Sequence, residues 1–166
     1  ELMSEENSID VYSFEKENRE YFERSLPPRS AQYFDSESFK EITRELLREQ
    51  ENHDVYMHLI RDAQGTMVGR INLSVLEDDR KTAELGYRIG ENVTNLGYAS
   101  EAVKLVLEKA FTTYGLHKII AGTATDNLIS QRVLLKNGFT FSRIIENDFQ
   151  MHNEWIHTAV FEIRNL

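Results

Sequence analysis

The stretch Glu84–Ser100, ELGYRIGENVTNLGYAS, holds the residues whose types and spacing point most directly to chemistry. Leu85, Tyr87 and Ile89 alternate against Glu84, Gly86 and Arg88, which predicts a strand. A polar turn follows, Asn92-Val93-Thr94-Asn95, with Gly97 at its end, and then an apolar-periodic segment that predicts a helix. A strand feeding a small-residue turn and then a helix can aim several backbone N–H groups one way, at the positive end of the helix dipole. That arrangement is an anion seat suited to phosphate. The turn has neither the Gly-Lys-Ser/Thr of a P-loop nor the three spaced glycines of a dinucleotide fold. Metal chemistry has little support. His53/His58 and His152/His157 are each five residues apart, whereas a helical zinc pair needs four. With no cysteine there is no disulfide, thiolate ligand or cysteine nucleophile, so a thiol in the chemistry would have to come from a cofactor. No metal site is expected.

The elements that must position this turn are read from periodicity. Phe14, Tyr21, Phe22 and Leu26 share a helical face, which predicts a helix over Glu15–Ser25 that Pro27-Pro28 stops. After an aromatic loop, Asp35 or Ser36 caps a second helix through Glu51, with Phe39, Ile42, Leu46 and Leu47 inward. From Val55 the period becomes two. Strands are predicted over Val55–Arg61, Thr66–Val75 and Thr82–Ile89, the first pair joined by the hairpin turn Asp62-Ala63-Gln64-Gly65. The helix after the turn runs from Gly97 or Tyr98 to about Tyr114, with Gly115 as its stop. His117–Thr125 is a buried strand, and its link to the third strand through one helix is a βαβ crossover. Leu128–Lys136 is a helix capped by Asp126-Asn127, and Phe139–Ile145 and Ile156–Ile163 are closing strands around a turn, Glu146–Trp155.

The global balance narrows the function classes. The 166 residues suit a single domain, 1–166, able to bury about two-thirds of its unfolded surface. A net charge of −9, spread along the chain, opposes nonspecific nucleic-acid binding, which needs cations to neutralise phosphates. No apolar run approaches the roughly 20 residues of a membrane span, and no basic-then-apolar leader is present. A cytoplasmic protein with no nucleic-acid or membrane partner is expected. The chain starts at Glu1 without an initiating Met, which leaves room for native residues ahead of it. The exposed aromatic Trp155 and a closing strand suit either a pocket or a subunit interface, so a homodimer is one expected assembly.

The turn resembles the acetyl-CoA pyrophosphate turn of the GCN5-related N-acetyltransferases (GNATs), Gln/Arg-x-x-Gly-x-Gly/Ala. In that register it reads Thr94-Asn95-Leu96-Gly97-Tyr98-Ala99. Gly97 and Ala99 fit; Thr94 replaces the usual Gln or Arg, and Asn95 a frequent glycine. A second landmark, Thr125-Asp126-Asn127-Leu128-Ile129-Ser130 through Lys136-Asn137-Gly138-Phe139, resembles the Asn-x-x-Ser…x-Gly-Phe segment of the RimJ/RimL-like ribosomal-protein alanine N-acetyltransferase branch. Two motifs, one on each side of a helix and strand, are far more specific than either alone. The resemblance covers roughly residues 55–165. It implies an α+β (α/β sandwich) GNAT fold: a mixed, mostly antiparallel sheet of about six to seven strands with a central parallel pair splayed at the cofactor site, flanked by about four helices.

The resemblance further implies an acetyl-CoA-dependent N-acetyltransferase. Main-chain groups around Thr94, Asn95, Leu96, Gly97, Tyr98, Ala99 and Ser100 would take the pyrophosphate. Ile89 and Glu91 would line one side of the pantetheine arm, and Asn127 and Ser130 the other. Coenzyme A is itself polyanionic, and backbone amides can hold it despite the chain's negative charge. The reaction needs a neutral amine, a stabilised oxyanion, a proton acceptor and a donor for the departing thiolate. A protein α-amine, with pKa about 7.8, is easier to deprotonate than a lysine at about 10.4, by roughly 3.5 kcal/mol. The expected acceptor is therefore a protein N-terminal amine. Glu84 is the first candidate base, against a solvent-facing or arginine-paired carboxylate; Asp148 is the second, against a solvated turn residue. Many family members place a tyrosine acid four residues before the Gly-Phe pair, where this chain has Leu134, so Ser130 becomes the candidate partner of the sulfur, against a helix-capping serine. Asn127 either contacts pantetheine or caps the helix. Two other readings share the motifs: a non-catalytic acyl-CoA-binding or interaction module, and a polyamine or antibiotic acetyltransferase. The shape and charge of an acceptor cleft lined by the N-terminal helices and last hairpin would separate the acceptor classes.

Overall fold

The computed structural model describes residues 1–165. Its elements run α1 (Ser8–Glu17), α2 (Arg19–Glu23), α3 (Ser36–Glu51), β1 (Val55–Arg61), β2 (Met67–Val75), β3 (Thr82–Ile89), α4 (Tyr98–Thr112), β4 (Lys118–Ala124), α5 (Leu128–Lys136), β5 (Thr140–Met151) and β6 (Glu154–Arg164). The six strands form a sheet of order β1-β2-β3-β4-β6-β5, mostly antiparallel, with β3 and β4 parallel. This is the expected α+β, GNAT-type arrangement, with five α-helices among the described residues because Asn18 separates the first predicted helix into α1 and α2. Among the described residues no helix is long and apolar enough to cross a membrane.

Internal contacts divide the chain into two compact units, Glu1–Asn72 with Tyr87–Tyr98, and Leu73–Gly86 with the chain from Ala99 onward. The first unit is built on Met3, Val11, Tyr33, Phe39, Met57 and Leu59, all buried, with Tyr12, Phe34, Ile42, Leu46, Leu47 and Met67 packed against them. α3 begins where its sequence says it should: the Asp35 carboxylate accepts the Ser38 N–H at 2.9 Å, satisfying one orphan donor of the first turn. Gly69 in β2 permits a close approach. A Cβ there would lie 2.6 Å from the Arg88 carbonyl, so any side chain would push β3 aside.

The second unit buries Leu73, Ala83 and Leu85 from the strands, Val103, Val106 and Ala110 from α4, Ile119 and Ala121 from β4, and Leu134 from α5. The parallel ladder is short. It runs Thr82↔Lys118, Ala83↔Ile119 and Glu84↔Ile120 and then stops, although both strands continue.

The closing hairpin differs from its sequence reading. Glu146–Trp155, expected as a turn, is mostly strand; the reversal is confined to His152-Asn153, with φ of 51° and 64°. Such paired left-handed residues make a tight two-residue hairpin. Both β5 faces are largely exposed, so the sequence shows no alternation to mark it as a strand. Asp148 is consequently not a turn residue. It sits in β5 where the pairing register shifts between Ile145 and Phe149, beside Asn147 at φ 50°.

Candidate active site

The segment between β3 and α4 turns sharply into the start of a helix. A single 3-10 turn over Glu91–Val93 leads to Thr94 in extended conformation, then Asn95 at φ 62° and Gly97 at φ 91°. Two left-handed residues two apart fold the chain sharply before α4 opens at Tyr98. The first N–H groups of α4, from Tyr98, Ala99 and Ser100 onward, have no partner inside the helix. Leu96 is two-thirds exposed, and a Cβ on Gly97 would meet no atom within 4 Å. Thr94 is held by its own turn, its hydroxyl donating to the Glu91 carbonyl at 3.1 Å.

The two sequence landmarks touch. The Asn137 side chain, at the C-terminal end of α5, donates to Ser100 Oγ at 3.2 Å and to the Val133 carbonyl at 2.9 Å. One amide thus closes α5 and fixes a side chain in the first turn of α4. At the other end of α5, Asn127 Oδ1 accepts the Ser130 N–H at 3.1 Å. Asn127 therefore caps the helix, which leaves its side-chain N–H₂ for other contacts. Ser130 is half-buried and Asn127 exposed. Leu134, where many GNATs carry tyrosine, is 1% exposed and belongs to the core.

The remaining sequence-derived candidates have distinct surroundings. Glu84 is exposed and occupies the last paired position of the β3–β4 ladder. Asp148 is exposed and accepts the Thr158 hydroxyl at 2.7 Å. Ile89 is half-buried at the end of β3. Glu91 is already engaged: its N–H donates to Asn18 Oδ1 at 2.9 Å and its carboxylate accepts from Arg24 at 3.1 Å. Its carbonyl is engaged as well, accepting from the Thr94 hydroxyl and N–H.

A functional-looking cluster went unread in the sequence. Glu15, 1% exposed, is bonded by three arginines: Arg70 at 2.8 Å, Arg88 at 3.0 Å and Arg29 at 3.2 Å. Burial alone would raise its pKa, but the guanidiniums of Arg70, Arg29 and Arg88 outweigh that and hold the carboxyl below its ordinary 4.5. Burial pulls the Arg88 pKa down, only partly countered by Glu15. The available signal was periodicity: Val11, Phe14, Glu15 and Phe22 all end up buried, which places one carboxylate on an apolar face.

Residues 4–140 match the family model described as an acetyltransferase (GNAT) domain, and the chain belongs to that family. It is an N-acetyltransferase of the GNAT type. Among its relatives is the probable N-acetyltransferase YjcK of Bacillus subtilis, 29% identical over 153 residues, covering 91% of this chain and 84% of that protein. The fold is similar to that of ribosomal-protein-S5-alanine acetyltransferase from Vibrio fischeri, with a TM-score of 0.92 and 18% identity over 99% of this chain and 91% of that one. It is also similar to spermidine N-acetyltransferase from Vibrio cholerae, solved with CoA and spermine, with a TM-score of 0.80 and 17% identity over 99% of this chain and 93% of that one.

Proposed function

We propose that the chain is one acetyltransferase domain that moves an acetyl group from acetyl-CoA directly to an amine in a ternary complex, the acceptor being a protein N-terminal α-amine. The observation that carries this reading is the turn at Asn95 and Gly97, whose left-handed pair delivers the chain into the open first turn of α4. Backbone N–H groups from Leu96 to Ser100 hold the pyrophosphate, with Thr94 and Asn95 framing it. Ile89 and Glu91 flank the pantetheine arm, and Asn127 contacts it through its uncommitted N–H₂. The thioester supplies an activated acyl carbon and a good leaving thiol; the protein supplies position and proton handling.

Glu84 is the proton acceptor, placed where the parallel ladder ends and reached by solvent, as a water-mediated base requires. Asp148 is the second choice because Thr158 already donates to it. The Ser130 hydroxyl hydrogen-bonds the departing sulfur. An α-amine demands only a weak base, which suits an exposed carboxylate.

The test is CoA thiol release with a panel of N-terminal peptides. Glu84→Gln is expected to lower kcat about 10²-fold with the KM for acetyl-CoA unchanged, since general-base contributions begin at that size. Ser130→Ala should lower kcat less. If Asp148→Asn instead abolishes turnover while Glu84→Gln is neutral, the roles are exchanged. If no amine releases thiol, the catalytic reading fails.

A further inference from the structure

The N-terminal unit contains more buried positive charge than it neutralises. Glu15 Oε1 accepts from Arg70 Nη1 at 2.8 Å and Arg29 Nη2 at 3.3 Å; Oε2 accepts from Arg88 Nη1 at 3.0 Å and Arg29 Nε at 3.2 Å. Four donors saturate the carboxylate. Three guanidiniums against one carboxylate leave a surplus of two charges. Their side chains are only 27% (Arg29), 17% (Arg88) and 11% (Arg70) exposed. Arg19 adds nothing net, being paired with Glu23 at 2.9 Å.

The surplus faces a shallow surface depression whose lining includes Glu15, Phe22, Arg29, Phe34 and Arg88, with the Arg19-paired Glu23 at its border. The guanidiniums are held against aromatic rings: Arg29 lies 4.3 Å from the Tyr33 centroid and Arg88 5.1 Å from that of Phe22. Such stacking fixes the planar guanidiniums; Arg29 gives its Nε–Nη2 edge to Glu15, and Arg88 gives one Nη1 donor. The pocket also adjoins the end of β3. Arg88 precedes Ile89, and the α1–α2 junction is anchored there through Asn18 to the Glu91 N–H.

We propose that the pocket around Arg29 and Arg88 binds a carboxylate carried by the acetyl acceptor, so that the enzyme selects acidic amines and rejects polyamines. The inference rests on the reading above that Ile89 and Glu91 flank the pantetheine arm. An uncompensated buried charge is costly, and a ligand carboxylate would relieve it with charge-assisted, fork-to-fork bonds. A polycation would meet the same surplus as repulsion.

The experiment compares matched acceptors. Amidated tripeptides carrying Glu at the first, second or third position are titrated calorimetrically against their Gln counterparts in the presence of coenzyme A. Free L-glutamate against L-glutamine, and spermidine, serve as further arms. The expected result is that one acidic ligand binds at least about tenfold tighter than its amide, the size of a charged hydrogen-bonded contact. Preference for a Glu peptide identifies a peptide acceptor; preference confined to free glutamate identifies a small amino acid. In Arg29→Gln the ratio should fall below about twofold with coenzyme A affinity unchanged, and Arg29→Lys should recover only part of it. The wild-type comparison stands even if a variant folds poorly. Equal binding of every matched pair, tightest binding of spermidine, or an Arg29→Gln loss falling on coenzyme A instead of the acceptor would overturn the proposal. Acidic preference without thiol release from any amine would leave this pocket in place and refute the catalytic reading.

Discussion

Replacing Glu15 with alanine should destabilise the protein by about 3–5 kcal/mol, because it leaves three mostly buried guanidiniums without their shared carboxylate. For a chain of this length that corresponds to a fall in Tm of roughly 6–20 °C. Glu15→Gln keeps the volume yet loses the charge, so it should fall in the same range. A loss that came only from packing would spare it. The cluster also sets a pH dependence. Glu15 has a folded pKa below its ordinary 4.5. Its contribution is therefore fully present above about pH 4.5 and is lost as pH falls through the lowered folded value. Wild-type stability should drop more steeply than that of Glu15→Gln in this acid window, as followed by urea midpoints across pH. A Glu15→Ala shift of under 2 °C, or parallel acid profiles, would show that solvent and counterions already neutralise the arginines.

The second large effect belongs to the phosphate turn. Gly97 sits at φ 91° with open space where a Cβ would point. Gly97→Ala should therefore cost modest backbone strain and little else. Gly97→Glu adds a carboxylate where a diphosphate is meant to sit. At about 4 Å and an effective dielectric near 20, one such charge pair repels by about 4 kcal/mol, and solvent at the exposed turn reduces this. A loss of acetyl-CoA affinity on the order of 10²-fold is expected, with Tm lowered by only a few degrees because no neighbouring atom is displaced. Calorimetric titration with acetyl-CoA measures it, and unchanged affinity in a folded Gly97→Glu protein would refute the placement.

Much of this was legible in the chain because the signals are local. β1, β3 and α5 have the bounds their periodicity predicts, and α3 starts at the aspartate that caps it. The turn at Gly97 could be read because a left-handed residue advertises itself as glycine. Other features depend on residues far apart. Glu15 meets Arg29, Arg70 and Arg88 across 14, 55 and 73 residues, and nothing near it in sequence names those partners. α1 begins at Ser8, seven residues before the predicted start at Glu15, because its buried positions Val11, Phe14 and Glu15 include a charge, which weakens the apolar periodicity there. The β5–β6 hairpin is longer than its sequence pattern indicates because β5 is solvated on both faces and interrupted by irregular pairing. The catalytic assignments were legible only as motif positions. Asn127 illustrates the limit: its place was evident, whereas its commitment to the Ser130 N–H required coordinates.

The central claim is that the backbone from Leu96 to Ser100 grips a diphosphate. The most direct measurement is a titration of the ¹⁵N-labelled protein with coenzyme A, followed by amide resonances. The largest shifts should fall on Leu96, Gly97, Tyr98, Ala99 and Ser100, and pantetheine, which lacks the diphosphate, should leave those resonances in place. Coenzyme A binding that leaves these five amides unmoved while shifting another surface would contradict it.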